Sequence, residues 1–120
     1  MKPRIDETSF GSITIAGETF EHDVVIRLSG AVEKRRKKLS KEVYGTAHVL
    51  SKDEAKYIYE KGAGRIIIGT GQSGVLEISP EAYDWLEKRG CRVEALATPK
   101  AVRRWNEVEE RVIGLFHVTC

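Results

Sequence analysis

The residues best suited to bind a ligand lie in a glycine-rich turn near the middle of the chain. Three consecutive isoleucines, residues 66–68, form the strand that leads into this turn. The turn follows the pattern G-x-G-x-x-G, and its residues are Gly69, Thr70, Gly71, Gln72, Ser73 and Gly74. Glycines at these intervals let a backbone bend sharply and let a ligand or another chain segment approach closely. We therefore expect either a tightly packed turn or a pocket in which turn amides, Thr70 and Gln72 hold a small ligand or anion.

The same pattern occurs in dinucleotide-binding proteins, but the residues after the turn do not complete such a site. A dinucleotide site needs a helix directly after the glycines, because the helix N-terminus holds the phosphates. Here residues 75–78 have an extended pattern, and the next helix begins only near Pro80. Glu81 then places a negative charge in the first turn of that helix, where it opposes a phosphate. We assign no cofactor.

The histidines and cysteines form no complete catalytic site in the sequence. His48 precedes a helix, so it lies either on the surface or in the lining of a pocket. His117 lies in an apolar run, which favours a core histidine bonded to a backbone carbonyl over a base for a thiol nucleophile. Cys120 lies beside a terminal carboxylate, whose negative charge disfavours a reactive thiolate. We assign no catalytic residue and take His48 and His117, with the turn, as candidate ligand-binding residues.

No metal site is predicted from residue spacing. The histidines, cysteines and acidic residues do not recur at the intervals typical of structural zinc sites. Cys91 and Cys120 are too few for a disulfide framework, so we expect both to be reduced thiols. Only histidines brought together by folding could bind a metal.

The basic run Lys34 to Lys38 is the strongest charge feature of the chain. Because its five like charges repel one another, we predict an exposed loop or an edge strand protected against pairing with other chains. No recognition helix or interleaved aromatic residue accompanies the run, so weak nucleic-acid binding is only an alternative function. The net charge of +2 is too small to imply a polyanionic partner.

The order of elements predicts a β-rich N-terminal third followed by alternating helices and strands. Residues 1–8 are expected to be loosely docked, residues 10–28 to form strands, and residues 43–50 to be a connection. Ser51 and Glu54 form a capping box at the first helix, and Ser79 with Pro80 begins the second. Thr98 with Pro99 caps the third. Alternation of this kind favours a partly parallel sheet with helices packed on it.

Composition places the chain among soluble globular proteins, since 41% of its residues are hydrophobic and 32% are charged. At 120 residues it is expected to be one domain, residues 1–120. Its apolar runs are far shorter than a membrane helix, and its N-terminus lacks the features of a targeting segment, which predicts a cytoplasmic protein. One Gln, one Asn and abundant Lys, Arg and Glu are typical of proteins from hot-growing organisms.

Several motifs along nearly the whole chain resemble one small α/β domain family. They are Phe10-Gly11-Ser12-Ile13, residues 20–24, His48-Val49-Leu50-Ser51, the glycine turn, Thr98-Pro99-Lys100-Ala101 and the ending Phe116-His117-Val118-Thr119-Cys120. The family includes the mitochondrial complex I assembly factor three, an adipogenesis-associated protein and many prokaryotic proteins, of which this chain is similar to the archaeal or bacterial type. The resemblance implies an α/β fold of three layers, with a central mixed β-sheet, an N-terminal β-hairpin region and flanking helices. It implies no catalytic residues, since the characterised members act as assembly or regulatory partners.

These observations lead to one main hypothesis and two alternatives. The main hypothesis is a non-enzymatic binding or assembly and regulatory module, with a small-ligand or anion pocket at Gly69 to Gly74. Its partner is expected to be a protein or a small anion, and a homo-oligomer is left open. One alternative is a small redox or cofactor-using enzyme built on the glycine turn with a histidine or cysteine, which requires these groups to converge. The other is nucleic-acid binding through Lys34 to Lys38.

Overall fold

The computed structural model of the protein describes residues 2–109 and 111–120. It contains three sheets and four α-helices in this part of the chain. The strands are β1 (Ile5–Ser9), β2 (Ser12–Ile15), β3 (Glu18–Phe20), β4 (Val24–Ile26), β5 (Val32–Lys34), β6 (Val49–Leu50), β7 (Arg65–Thr70), β8 (Glu77–Ile78), β9 (Arg92–Leu96) and β10 (Val112–His117). The helices are α1 (Lys38–Tyr44), α2 (Lys52–Ile58), α3 (Pro80–Lys88) and α4 (Thr98–Glu107). None of the four helices has the length and apolar character that crossing a membrane requires.

The central sheet has five strands in the order β5-β4-β10-β7-β9. Strand β10 runs antiparallel to β4 and parallel to β7, so the sheet is mixed, as predicted. Every residue of β7 and β10 is buried, because both faces of these strands are covered. Two smaller sheets, β1-β2-β3 and the parallel pair β6-β8, flank this centre.

The sheet separates two apolar cores, which gives the expected α/β layering. Successive side chains of a strand point to opposite faces, so Ile67 packs in one core while Ile66 and Ile68 pack in the other. The first core contains α4, through Trp105, and the hairpin strands β1 and β2. The second contains apolar residues of α2 and α3. The α/β fold with a mixed sheet and an N-terminal β-hairpin region is therefore confirmed.

Two segments differ from the expectations. Residues 5–9 form β1 and are not loosely docked, because Ile5 is fully buried and its backbone N–H and C=O bond to the Asn106 side chain. Residues 38–44, partly expected as a connection, form α1. This short helix lies against the rest of the protein through Ser40, whose hydroxyl donates to the Glu54 carboxylate.

The basic run is an edge strand only in part. Lys34 ends β5, which is an edge of the central sheet. Arg35, however, is only 4% exposed, because its guanidinium is paired with the carboxylates of Asp23 and Glu54. The prediction that all five cations are solvated is therefore wrong for Arg35.

The predicted caps are confirmed at two helices and altered at a third. Ser51 accepts from the Glu54 backbone N–H and Ser79 from that of Ala82, as expected. The reciprocal bond of the capping box, from the Ser51 backbone N–H to the Glu54 side chain, does not form, because the Glu54 carboxylate bonds to Arg35 instead. Thr98 makes no cap hydrogen bond, because its hydroxyl is used elsewhere.

Candidate functional site

The parallel pairing of β7 and β10 brings the glycine turn and His117 to one edge of the sheet. In this register His117 lies opposite Thr70, the last residue of β7. Hydrophobic patterning did not decide the direction of β10, and the parallel direction is the one that brings His117 to the turn. Two of the predicted site elements are therefore neighbours.

The space beside the turn is filled by residues 118–120 of the same chain. A Cβ atom on Gly71 would lie 2.2 Å from the Cys120 carbonyl carbon and 2.9 Å from His117 Cδ2. Gly71 also has a φ of +109°, a conformation that favours glycine. This position needs glycine because the approaching segment is the protein's own backbone.

The amides of the turn bond to the same segment. The N–H of Gln72 donates to the Thr119 carbonyl at 2.7 Å, and those of Ser73 and Val75 donate to the Cys120 oxygen at 3.2 and 3.1 Å. Of the two expectations, the structure favours the tightly packed turn. Anion binding by these amides stays a prediction, and it would require residues 119–120 to move.

Thr98 joins the turn to β10. Its hydroxyl accepts from the Gly71 N–H at 2.8 Å and donates to the His117 carbonyl at 2.6 Å. Thr98 is fully buried, and its two hydrogen bonds hold the end of β7 and the end of β10 together. The sequence motif at α4 thus positions the site, although it was interpreted as a helix cap.

His117 is a buried histidine whose partner is a carboxylate. Its Nδ1 lies 2.8 Å from Asp23 Oδ2, while Asp23 Oδ1 accepts from the Val118 N–H at 2.9 Å. Burial alone would raise the Asp23 pKa, but the hydrogen bonds that it accepts from the His117 ring, the Val118 N–H and the Arg35 guanidinium lower it to about 2. Asp23 is therefore ionised and accepts hydrogen bonds only, so Nδ1 carries the proton. Nε2 lies 3.4 Å from the Thr119 hydroxyl. The expected backbone carbonyl is not the partner of His117.

Behind Asp23 lies a buried network of charged groups. Arg35 donates to Asp23 Oδ2 at 3.0 Å, and to Glu54 Oε1 and Oε2 at 3.0 and 2.7 Å. Burial would lower the Arg35 pKa, but the two carboxylates raise it. Asp23, Arg35 and Glu54 could not be recognised as a group in the sequence, because they are distant from one another along the chain and Arg35 lies within the basic run.

Folding brings two further groups, His48 and Cys120, close to His117. His48, in the loop before β6, makes an edge-to-face contact with His117, with ring centroids 5.7 Å apart. Candidate ligand atoms of His48, His117 and Cys120 all lie within 4.8 Å of one another. His48 is exposed, His117 is buried and Cys120 is intermediate between them. We call these three residues the His-Cys cluster.

A basic cleft of about 500 Å³ opens onto the cluster. We define it by Lys34, Lys37, Lys41, His22, His48 and His117, all of which line it. Residues 45–47 and 118–119 complete much of the wall. A cavity of about 420 Å³ lies at the opposite end of β10, beside Val112, and its described lining contains no histidine or cysteine.

Comparison with known proteins gives one family and several similar structures. Residues 5–117 match the family described as "Protein of unknown function (DUF498/DUF598)". The crystal structure of conserved hypothetical protein PH1505 from Pyrococcus horikoshii OT3 is similar, with 34% identity, a TM-score of 0.91, and 98% of this chain and 99% of that chain covered. A structure titled MT938 has 33% identity and a TM-score of 0.86, covering 99% and 100% of the two chains. A Mth938-like domain from Bordetella pertussis, solved by NMR in solution, shares the fold with 20% identity and a TM-score of 0.62, covering 97% and 85%.

Proposed function

This chain belongs to the DUF498/DUF598 family of proteins of unknown function, and from that premise we propose that it is a binding module for a small anion. The observation that supports this proposal is that three lysines line the basic cleft together with His48 and His117. A volume of about 500 Å³ suits a small molecule and not a polymer.

The lysines reach the cleft from two neighbouring elements. Lys34 ends β5, Lys37 immediately precedes α1 and Lys41 lies within that helix. Because Lys37 and Lys41 are four residues apart, they lie on the same side of the helix. Their ammonium groups are point charges that suit phosphate or carboxylate oxygens.

The acidic residues of the cleft offset this positive charge only in part. Glu21 and Asp23 are the carboxylates in the lining. Asp23 is already engaged by the Arg35 guanidinium, the His117 ring and a backbone N–H. The cleft therefore favours a ligand that brings negative charge of its own.

The two alternative functions fare differently against the geometry. The enzyme alternative required histidines and a cysteine to converge, and the His-Cys cluster has that arrangement, but the three lysines are explained by anion binding and not by that chemistry. Nucleic-acid binding through the basic run cannot use Arg35, because its buried guanidinium cannot reach a phosphate.

Titration of the protein with inorganic phosphate and with citrate, followed by amide chemical shifts, tests the proposal. We expect saturable shifts at residues 45–48 and 117–119, weakened by added salt because charges on the surface are screened. Lys37→Met with Lys41→Met should weaken binding by about tenfold, at about 0.7 kcal/mol for each exposed charge. Lys52→Met, an exposed charge on α2 outside the cleft, is the matched control and should leave the affinity unchanged. Shifts absent from the cleft, or equal losses in the control, would contradict the proposal.

The protein partner and the homo-oligomer stay predictions. Phe10, at the turn between β1 and β2, is 69% exposed and is suited to contact another chain. If a second copy binds there, Phe10→Ser should lower the mass measured by light scattering after size exclusion.

A further inference from the structure

We propose that the His-Cys cluster is a binding site for a divalent transition-metal ion, with Zn²⁺ as the first candidate. The ligand atoms of His48, His117 and Cys120 already lie within 4.8 Å of one another. Ligands of a tetrahedral zinc ion are separated by about 3.5 Å, as follows from bond lengths of about 2.0–2.3 Å. Closing the difference needs a movement of about 1 Å, which the exposed His48 side chain can supply by rotation.

The surroundings of His117 are those of a metal ligand. Histidines that bind metals usually donate their other ring N–H to a carboxylate, which fixes the tautomer and orients the ring. Here Nδ1 of His117 donates to the Asp23 carboxylate at 2.8 Å, and Asp23 in turn accepts from Arg35 and from the Val118 N–H. Nε2 is therefore the ring atom that an ion can bind, and the ion would replace its weak contact with the Thr119 hydroxyl at 3.4 Å.

The glycine turn positions the third ligand. The N–H groups of Ser73 and Val75 both donate to the Cys120 oxygen, which fixes the backbone of this residue beside Gly71. The turn therefore serves the site by holding the segment that bears a thiol.

The donor set determines the class of ion. Two imidazole nitrogens and a thiolate are preferred by Zn²⁺, copper and their neighbours, whereas Mg²⁺ and Ca²⁺ prefer oxygen ligands. Three protein ligands leave a fourth position for water or an added ligand. Since His48 and His117 line the basic cleft, the cluster is open to solvent there, and the thiolate of Cys120 supplies a negative charge that opposes the repulsion between the lysines and a cation. The metal site does not depend on the anion proposal, and each can fail alone.

The test uses the reduced full chain, freed of metal on a chelating resin, and Co²⁺ as a spectroscopic probe. We expect one Co²⁺ per chain, with a near-ultraviolet band from charge transfer between thiolate and cobalt and visible bands of a tetrahedral ion. Added Zn²⁺ should remove both sets of bands. No anion is present other than chloride, so the result is independent of the phosphate titration.

Variants assign the ligands. Cys120→Ser should abolish the charge-transfer band, and His48→Gln should weaken binding by at least about tenfold. Because His48 is exposed, its replacement should leave the fold intact, which circular dichroism verifies. His22→Gln is the matched control, since His22 lines the same cleft but lies outside the cluster. The Co²⁺ affinity of this variant should equal that of the unchanged protein. Absence of Co²⁺ binding, binding without the thiolate band, or equal losses for His22→Gln and His48→Gln would each overturn the proposal.

Discussion

Replacement of Arg35 by Met should be among the most destabilising single changes outside the apolar cores. Arg35 is buried between the carboxylates of Asp23 and Glu54, and Glu54 is fully buried. Met has a similar length but no charge, so the variant leaves the carboxyl groups of Asp23 and Glu54 in the interior without the guanidinium that joins them. Removing one partner from a buried ion pair costs about 3–5 kcal/mol.

This loss is a large part of the stability of a chain of 120 residues. Domains of this size unfold with a free energy of about 5–15 kcal/mol. With a urea dependence of about 1.5 kcal/mol per molar, a loss of about 4 kcal/mol lowers the unfolding midpoint by about 2.5 M. Urea unfolding followed by circular dichroism measures this shift directly.

Arg36→Met is the matched control, because it removes the same charge from the adjacent residue. Arg36 is exposed, and its guanidinium lies over the Tyr57 ring at 4.7 Å, a contact worth about 0.5–1 kcal/mol. Adding Glu54→Gln to Arg35→Met should cost less than the sum of the two single changes, because it also removes one unpaired charge. Equal losses for Arg35→Met and Arg36→Met, or strict additivity in the double variant, would refute this account of the network.

Three further predictions concern the turn and the cores. Gly71→Ala should destabilise the protein by more than about 2 kcal/mol in urea unfolding, because the added Cβ meets the Cys120 backbone. Gly17 also has a positive φ but open space around it, so Gly17→Ala should lose less stability. Thr98→Val should cost about 2–3 kcal/mol by the same measurement, since it leaves a buried N–H and a buried carbonyl without partners; Thr19→Val, at an exposed hydroxyl, should change little. Burial, with the Glu87 charge, raises the Cys91 pKa to about 11 from 9.0, so its contribution to stability is present below pH 9 and is lost as pH rises towards 11. The stability of Cys91→Ala should therefore fall less steeply over that range, and parallel pH profiles would contradict the assignment.

The central strands and two helix starts could be predicted because their causes are local. The isoleucines of β7 indicated a strand, the apolar run around His117 indicated a segment of the core, and the hydroxyls of Ser51 and Ser79 indicated helix starts. Helix α1 could not be predicted in the same way. It has seven residues, and only Ser40 among them is buried, so tertiary hydrogen bonds stabilise it and no apolar stripe marks it.

Only part of the candidate site could be predicted from the sequence, for a related reason. His117 and the glycine turn stood out by residue type, but Asp23, 94 residues from His117, carries no signal that links the two. The pairing of Arg35 with Glu54 likewise depends on how β5 and α2 meet in space. Cys120 was set aside on its own chemistry, and only folding places its thiol near His48 and His117.

The position of β10 has a consequence for synthesis on the ribosome. Among the ten strands in the described part of the chain this strand comes last in sequence, yet it lies third of five across the central sheet. Because residues leave the ribosome in chain order, β4 and β7 emerge before the strand that joins them. Until residues 112–117 follow, the edges of both strands present unpaired N–H and C=O groups that can pair with other chains. The nascent protein therefore completes its central sheet, and brings His117 and Cys120 to His48, only after β10 has emerged. A chain stalled before β10 exposes two strand edges that can pair with other chains.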